Sequence, residues 1–263
     1  MKKSFVALLA VVLMAGCATV DTKDETRGWT VERIYATARE ELDGGNYQRS
    51  LKLYETLQAR FPYGRYAQQA LMDEAYTHYK DAEPELAIAS ANRFIRLYPS
   101  HPNLDYMYYL KGLVYFNEDS SWMSRLSGQD MSERDPKAAR ESYQAFQELV
   151  ARFPQSQYSA DATEKMVRLI NALGASEVHV ARYYMKRGAW LAAINRAQTV
   201  VKEYANTGHN EEALAIIVVA YERLGMKDMA ADARRVLQLN FPQSNYLQAP
   251  WQVREQSWWK FWG

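Results

Sequence analysis

RFPYGRYAQQALMDEAYTHYKDAEPELAIASANRFIRLYP, residues 60–99, is the stretch that decides the fold. It begins with Arg60-Phe61-Pro62 and ends with Leu97-Tyr98-Pro99, so an aromatic residue followed by proline stands at both ends. The second proline is preceded by four residues that share one face of a helix: Ala87, Ala91, Phe94 and Ile95. Proline ends such a helix because it lacks an N–H and because its ring disfavours the helical conformation in the residue before it. The stretch therefore predicts a helical unit that is closed by proline.

The closing signal recurs as Arg152-Phe153-Pro154, as Asn240-Phe241-Pro242 and in the degenerate form Glu203-Tyr204-Ala205. Each copy follows an amphipathic stretch, and each stretch has a predicted partner helix upstream. The partner helices are predicted at Val31–Asp43, Ala67–Asp81, Asp105–Phe116, Ala160–Arg187 and Glu211–Leu224. Helical pairs that end on proline are typical of tetratricopeptide repeats, whose unit is ~34 residues. We therefore predict an all-α fold, a tetratricopeptide-like superhelix of five helix–turn–helix repeats over residues 30–246; an unrelated helical bundle is the alternative.

Spacing and residue size refine this prediction. The first and last intervals between closing positions are both 37 residues, whereas the interval from Pro99 to Pro154 is 55, which predicts an insertion at about residues 117–136. We predict one long helix over Ala160–Arg187, although Gly174 within it is a candidate kink or break. Small residues occupy the same place in four partner helices, where they would let paired helices approach closely: Ala38, Ala75, Gly112 and Ala181.

The first twenty residues predict where the protein resides. Lys2 and Lys3 precede an apolar run, and small residues lead to Cys17, the only cysteine of the chain. This order is typical of a secretory signal, and residues 13–17, LMAGC, resemble a bacterial lipobox. The resemblance implies that residues 1–16 are a lipoprotein signal peptide and that Cys17 carries a diacylglycerol on its sulfur and an acyl chain on its amine. An ordinary signal with an incidental cysteine is the alternative.

Residues 17–29 are then predicted to be a lipidated N-terminus and tether. Several acyl chains, at ~0.8 kcal/mol for each buried CH₂, would anchor the chain durably. Ala18 stands where an aspartate commonly retains bacterial lipoproteins in the inner membrane. The expected location is therefore the periplasmic face of the outer membrane, with membrane lipid contacted through the acyl anchor.

Composition and motifs exclude several classes of function. Lys+Arg 32 and Asp+Glu 31 nearly balance, so we predict no nucleic-acid partner. The nucleotide-binding, hydrolase and zinc-protease signals GxGxxG, GxSxG and HExxH do not occur, and the four histidines are scattered. We predict no catalytic residue, no metal site and no cofactor beyond the covalent lipid on Cys17. The sequence predicts a protein that is not an enzyme.

A set of short motifs carries a family resemblance over about residues 30–245. Besides the lipobox, the motifs are Arg93–Leu97, His101-Pro102-Asn103, Asp105-Tyr106, Gly112-Leu113, Arg134-Asp135-Pro136, Ser156-Gln157-Tyr158, Asp161-Ala162 and Arg187–Trp190. In order and spacing they resemble the BamD (ComL-type) family of outer-membrane tetratricopeptide lipoproteins. The resemblance implies a scaffold of the β-barrel assembly machine that docks the barrel-forming subunit BamA through its C-terminal repeats, works beside other Bam lipoproteins and binds unfolded outer-membrane proteins through its N-terminal repeats. The alternative is a tetratricopeptide lipoprotein for pilus or secretin assembly.

A peptide groove is predicted on the concave wall, which the first helix of each repeat forms in such stacks. Aligning the small-residue positions places eight side chains on that wall: Tyr35, Arg39, Met72, Tyr76, Tyr79, Tyr106, Tyr109 and Phe116. Lys80 and Arg182 add positive charge near it. Such a wall suits an extended peptide with aromatic side chains and a terminal carboxylate, which is how barrel proteins typically end. The alternative is that several of these tyrosines pack between repeats.

Partner docking is predicted for the fourth repeat. There the apolar stripe of residues 189–204 leaves Arg196 on an outward face, and Arg182 is grouped with it as a docking candidate. Arginine is a good interface anchor because it pairs in a bidentate manner, although most surface arginines are simply solvated.

The C-terminal tail, residues 247–263, has no counterpart in the family pattern. It contains four of the seven tryptophans at positions that would share one helix face: Trp251, Trp258, Trp259 and Trp262. Because tryptophan favours membrane–water interfaces, the tail is either a second membrane or partner contact or a segment packed over the last repeat.

Overall fold

The structure, a computed structural model, describes residues 25–118 and 136–252. Within these two ranges the chain is helical and contains no strand, so the predicted all-α fold is confirmed. None of the described helices is long and apolar enough to cross a membrane. Residues 1–24, with Cys17, residues 119–135 of the predicted insertion and residues 253–263 of the tail lie outside the described residues.

In residues 25–118 and 136–252, ten helices form five consecutive pairs, and a short helix follows them. Their bounds are α1 Val31–Asp43, α2 Tyr47–Arg60, α3 Arg65–Lys80, α4 Pro84–Leu97, α5 Leu104–Glu118, α6 Pro136–Arg152, α7 Ser159–Lys186, α8 Trp190–Glu203, α9 Asn210–Arg223, α10 Lys227–Asn240 and α11 Asn245–Gln248. Each helix packs against the next one in the chain, and first helices of neighbouring repeats also touch: α1 with α3, α3 with α5 and α7 with α9. The first helices therefore form a shared surface.

The second helix of each repeat ends on the residue immediately before the aromatic residue of the closing signal. Phe61 leaves the helix at φ −127° and ψ 68°, and Phe241 does so at φ −133° and ψ 67°. Their N–H groups still donate to the carbonyl four residues earlier, at 2.7 Å and 2.8 Å. Tyr204 adopts a similar conformation, φ −125° and ψ 32°, although Ala205 follows it instead of proline. Because Tyr204 is itself buried in the core, packing of the aromatic ring accompanies the helix end where proline is absent.

The core lies where paired helices meet at the small residues. Ala38, Ala75 and Ala181 are fully buried, and a Cβ added at Gly112 would lie 2.3 Å from the Phe146 ring. In two repeats, a serine of the second helix donates a buried hydrogen bond to the carbonyl of the small residue on the first helix. The spacing of the small residues alone does not predict these bonds. Ser50 Oγ donates to the Ala38 carbonyl at 2.8 Å, and Ser142 Oγ donates to the Gly112 carbonyl at 2.9 Å. Small residues therefore bring the two helices of a repeat within hydrogen-bonding distance.

The fourth repeat opens with an unbroken helix of 28 residues, α7, as predicted. It packs against α6, α8 and α9. Gly174 is buried in its middle, where a Cβ would lie 3.0 Å from Thr207 Oγ1 and 3.5 Å from Tyr204 Cβ. Gly174 therefore makes room for the turn between α8 and α9 and is not a break.

Candidate functional site

The wall begins at a buried carboxylate between the first two repeats. Asp73, on α3, is only 6% exposed. It accepts hydrogen bonds from Tyr35 Oη at 2.7 Å, from Arg39 Nη1 at 3.3 Å and from Gln69 Nε2 at 3.2 Å. The predicted wall residues Tyr35 and Arg39 of α1 are thus held in place by Asp73, a residue that sequence reasoning did not single out.

The wall continues as a row of half-buried tyrosines. The ring centroids of Tyr76 and Tyr79 on α3 lie 6.2 Å apart. On α5, Tyr106 lies 5.7 Å from the ring of Tyr158, and Tyr109 stacks on Tyr158 at 4.7 Å with an interplanar angle of 17°. Tyr158, immediately before α7, therefore joins the wall and ties the α5 tyrosines to the next repeat.

A second carboxylate closes the wall on α7. Asp161 accepts a hydrogen bond from Tyr109 Oη at 2.6 Å and from Lys165 Nζ at 2.6 Å. Lys165 also lies over the ring of Phe116, 5.7 Å from its centroid. Burial opposes ionisation of Asp161, but the hydrogen bonds from Lys165 and Tyr109 hold the pKa of this carboxyl below its usual value. The wall is therefore bounded by an ionised Asp161 that is already paired.

The hydroxyls of Tyr35, Tyr106 and Tyr109 remain neutral. Burial, reinforced by the hydrogen bond to Asp73, raises the pKa of Tyr35. Burial, reinforced by the nearby side chains of Tyr76 and Asp73, raises the pKa of Tyr106. Burial, reinforced by the hydrogen bond to Asp161, also raises the pKa of Tyr109. At neutral pH these three residues therefore present ring faces and uncharged hydroxyls to a ligand.

The prediction for Met72 is wrong. Its exposed fraction is 3%, and it belongs to the core with Leu71 and Ala75. The physical reason is that α3 contacts α1, α2, α4 and α5, so most of its surface is covered. Lys80 is exposed at the C-terminal end of α3, consistent with its predicted place beside the wall.

A cavity of about 480 Å³ adjoins the wall at Tyr106 and Tyr158. It lies between the turn that precedes α5 and the turn that precedes α7, and its other lining residues are Pro102, Asn103, Asp105, Gln155, Ser156 and Gln157. Asp105 Oδ2 accepts a hydrogen bond from Ser156 Oγ at 2.6 Å, which joins the two turns. Three of the motifs that carry the family resemblance thus meet at one polar cavity.

Arg196, the predicted docking residue, forms an ion pair within the protein. Its Nη1 lies 3.2 Å from Glu177 Oε2, and Arg140 Nη2 lies 3.3 Å from the other oxygen, Glu177 Oε1. The Glu177 side chain is 7% exposed, whereas the two arginine side chains are 45% and 47% exposed. Because the three residues belong to α6, α7 and α8, Arg196 neutralises a buried carboxylate at a three-helix junction and keeps part of its guanidinium at the surface.

Arg182 pairs with the last repeat. Its Nε donates to Glu212 Oε1 on α9 at 2.6 Å, and the indole Nε1 of Trp251 donates to the same oxygen at 2.9 Å. Burial opposes ionisation of Glu212, but these hydrogen bonds hold the pKa of its carboxyl below the usual value. Trp251 is 7% exposed, so the first tryptophan of the tail packs over the last repeat. Trp258, Trp259 and Trp262 lie outside the described residues.

Metal-binding chemistry has no candidate in the described ranges: residues 25–118 and 136–252 contain no cluster of three or more histidine, cysteine, aspartate or glutamate side chains that could hold an ion.

Comparison with known proteins assigns the family. A family model described as YfiO, outer membrane lipoprotein, matches residues 28–237, which include the wall, the polar cavity and the Glu177 junction. A protein of Neisseria meningitidis serogroup B named outer membrane protein assembly factor BamD is 52% identical over 266 residues, covering 100% of both chains. The chain belongs to the BamD family of outer-membrane lipoproteins.

More distant BamD relatives and solved structures extend the comparison. BamD of Xylella fastidiosa strain 9a5c is 36% identical, covering 93% of this chain and 84% of its own, and BamD of Vibrio cholerae is 33% identical, covering 89% and 96%. Among solved structures, MamA is 16% identical with a TM-score of 0.38, covering 84% of this chain and 96% of its own. PilW, a type IV pilus biogenesis factor, is 16% identical with a TM-score of 0.37, covering 83% and 96%. At such TM-scores neither structure bears on the function of this BamD-family chain.

Sequence reasoning missed the carboxylates that organise the site. Asp73 and Glu177 are acidic residues on helix faces that are otherwise buried. An acidic residue that interrupts an apolar face was the signal in the sequence that could have identified them. Burying a carboxylate is costly unless it is paired, so each of the two requires a partner. Which side chain pairs with each carboxylate depends on how the helices pack, and the spacing of residues in the sequence does not reveal this packing.

Proposed function

We propose that this BamD-family chain is a non-catalytic, lipid-anchored subunit of the outer-membrane β-barrel assembly machine. In this role it docks the barrel-forming subunit BamA, works beside other Bam lipoproteins and binds unfolded outer-membrane proteins. The 52% identical relative named as an outer membrane protein assembly factor supports the role. The same family match favours it over pilus or secretin assembly. The structural observation that carries substrate binding is the tyrosine row, which has members on α1, α3 and α5 and ends at Tyr158.

The chemistry of the row suits an extended peptide with aromatic side chains. Half-buried rings offer flat apolar faces, and neutral hydroxyls can bond to a peptide backbone without the cost of stripping water from a charge. Lys80, exposed at the end of α3, supplies a cation for a terminal carboxylate. The polar cavity beside Tyr106 and Tyr158 adds space for a side chain or for the peptide end.

Replacing both Tyr76 and Tyr79 by alanine is expected to weaken binding of a synthetic barrel C-terminal peptide on the order of tenfold, since each aromatic contact contributes about 0.5–1.5 kcal/mol beyond the area it buries. Fluorescence anisotropy measures the affinity, and circular dichroism checks that helicity is retained. Tyr183→Ala is the matched control, because Tyr183 is a 49% exposed tyrosine on α7 outside the row. Unchanged affinity in the double variant would move substrate recognition off the wall.

The docking proposal for Arg196 has a matched control in Arg140. Each arginine pairs with one oxygen of Glu177 and is almost equally exposed, so methionine at either position removes one ion pair; Arg140→Met also removes the interaction of Arg140 with Tyr204. Because the Glu177 carboxylate is buried, each replacement is expected to cost about 1–3 kcal/mol of stability. Arg196→Met is expected to lower copurification of BamA several-fold, whereas Arg140→Met leaves it near the wild-type level. Equal losses in the two variants would show that the ion-pair junction matters and that Arg196 does not contact the partner.

A further inference from the structure

The start of α1, the end of α2 and the start of α3 come together at one end of the first repeat. Arg60 Nη1, at the end of α2, donates to the Thr26 carbonyl at 2.8 Å and holds the segment before α1 in place. Trp29 and Tyr66 both pack on the core of the first repeat. We call this surface the basic end and define it by six residues: Arg27, Trp29, Arg33, Tyr63, Arg65 and Tyr66.

Two of the three arginines of the basic end, Arg33 and Arg65, lie over aromatic rings. The guanidinium carbon of Arg33 lies 4.3 Å from the Trp29 ring centroid, and that of Arg65 lies 4.9 Å from the Tyr66 ring centroid. Within the described ranges, no carboxylate lies at ion-pair distance from Arg27, Arg33 or Arg65. Their charges are therefore not neutralised by any described side chain.

Helix stability does not account for these cations. Arg33 and Arg65 belong to the first turns of α1 and α3. The macrodipole makes a helix N-terminus partly positive, so a cation there is unfavourable. Of the nearby acidic residues, Glu25 already pairs with Arg49 at 3.5 Å, and Glu32 remains in the first turn of α1. The basic end therefore keeps a net positive charge that an anionic partner would neutralise.

An aromatic side chain projects from the same surface. Tyr63 is 90% exposed, in the turn that precedes Gly64, whose φ of +92° favours glycine. Tyrosine and tryptophan are favoured at membrane–water interfaces, because their rings have an apolar body and a polar tip. Exposed tyrosine, half-buried tryptophan and unneutralised arginines together fit the headgroup region of an anionic bilayer.

The proposed acyl anchor on Cys17 is close in sequence to this surface. Glu25 follows Cys17 by eight positions, and a fully extended chain of eight steps spans at most about 29 Å. We propose that the basic end docks on anionic phospholipid headgroups beside the acyl anchor and so sets the orientation of the repeats on the membrane. This inference rests on the proposed lipidation of Cys17, and it is independent of peptide binding and of BamA docking.

The acylated protein offers a direct test. With its only cysteine acylated, a second cysteine is the sole site for a thiol-reactive, environment-sensitive dye. Ala59→Cys places the dye on an exposed position beside the basic end, and Ala231→Cys places it on an exposed position of α10. On phosphatidylethanolamine vesicles containing phosphatidylglycerol, the emission at position 59 is expected to rise about twofold, and the rise disappears when phosphatidylcholine replaces the anionic lipid, since arginines are drawn to a negative surface. The dye at position 231 does not respond.

Variants of the Ala59→Cys protein test the arginines. Arg33→Gln with Arg65→Gln is expected to remove most of the rise. The matched control is Arg187→Gln with Arg223→Gln, because these exposed arginines also lie over aromatic rings, at 5.1 Å and 5.8 Å, but at the C-terminal ends of α7 and α9.

Sedimentation of the vesicles separates this inference from lipidation. If all variants sediment with the vesicles but position 59 does not respond, the anchor is present and the proposal is overturned. A response at position 59 to added BamA but not to lipid would assign the basic end to a protein partner and would also overturn it. The proposal is also overturned if the Arg187→Gln/Arg223→Gln control loses as much of the emission rise as Arg33→Gln/Arg65→Gln does.

Discussion

Gly112→Ala is expected to lower the free energy of unfolding by about 2–3 kcal/mol, which is the upper range for overpacking a close-packed core. The added Cβ would lie 2.3 Å from Cε1 and 2.4 Å from Cδ1 of Phe146. The Phe146 ring is completely buried, so it cannot move aside into solvent. A shift of α5 away from α6 would also stretch the 2.9 Å hydrogen bond from Ser142 Oγ to the Gly112 carbonyl.

The sign of this effect distinguishes packing from helix propensity. In an exposed helix, replacing glycine by alanine stabilises by about 1 kcal/mol, so propensity alone predicts the opposite result. Urea unfolding followed by circular dichroism measures the change. Gly208→Ala is the control, because a Cβ there has no neighbour within 4 Å and its φ is not in the left-handed region. A Gly112→Ala protein as stable as the wild type would mean that the α5–α6 contact can open without cost.

Cys17→Ser is expected to abolish membrane anchoring and to leave the precursor uncleaved. Serine lacks the thiol that receives the diacylglycerol, and without acyl chains the chain loses ~0.8 kcal/mol for each CH₂ that would be buried in the bilayer. Fractionation of cells with a high-salt wash measures the anchored fraction. Mass spectrometry of the mature wild-type N-terminus is expected to show Cys17 with three acyl chains.

Thr19→Ala is the matched control for anchoring, because it changes a residue two positions beyond the cysteine and leaves LMAGC intact. This variant is expected to be processed and anchored like the wild type. An intact, unmodified Cys17 in protein purified from membranes would contradict the lipidation proposal.

Much of the fold was predictable because its signals are local. Proline lacks an N–H and restricts the residue before it wherever it occurs, so the ends of α2, α4, α6 and α10 followed from the closing signals. The apolar spacing along residues 160–187 depends on helix geometry alone, and α7 is the single helix that it predicted.

Part of the candidate site was predictable for the same reason. The places of Tyr35, Tyr76 and Tyr106 on the first helices followed from the register of the small residues, and the structure keeps them half-buried along adjoining helices. Met72 was misplaced because the register gives a position along a helix, whereas burial depends on how many neighbours surround that helix. α3 has four such neighbours.

Sequence by itself thus determined the helices, their ends and their apolar faces, because these properties depend on residues within a turn or two of one another. Tertiary structure alone decided the carboxylate pairings: Tyr35 with Asp73, Arg196 and Arg140 with Glu177, and Trp251 with Glu212. These partners lie 19 to 39 residues apart. A buried carboxylate requires a partner, but the crossing of helices that are distant in sequence decides which side chain comes within hydrogen-bonding distance of it.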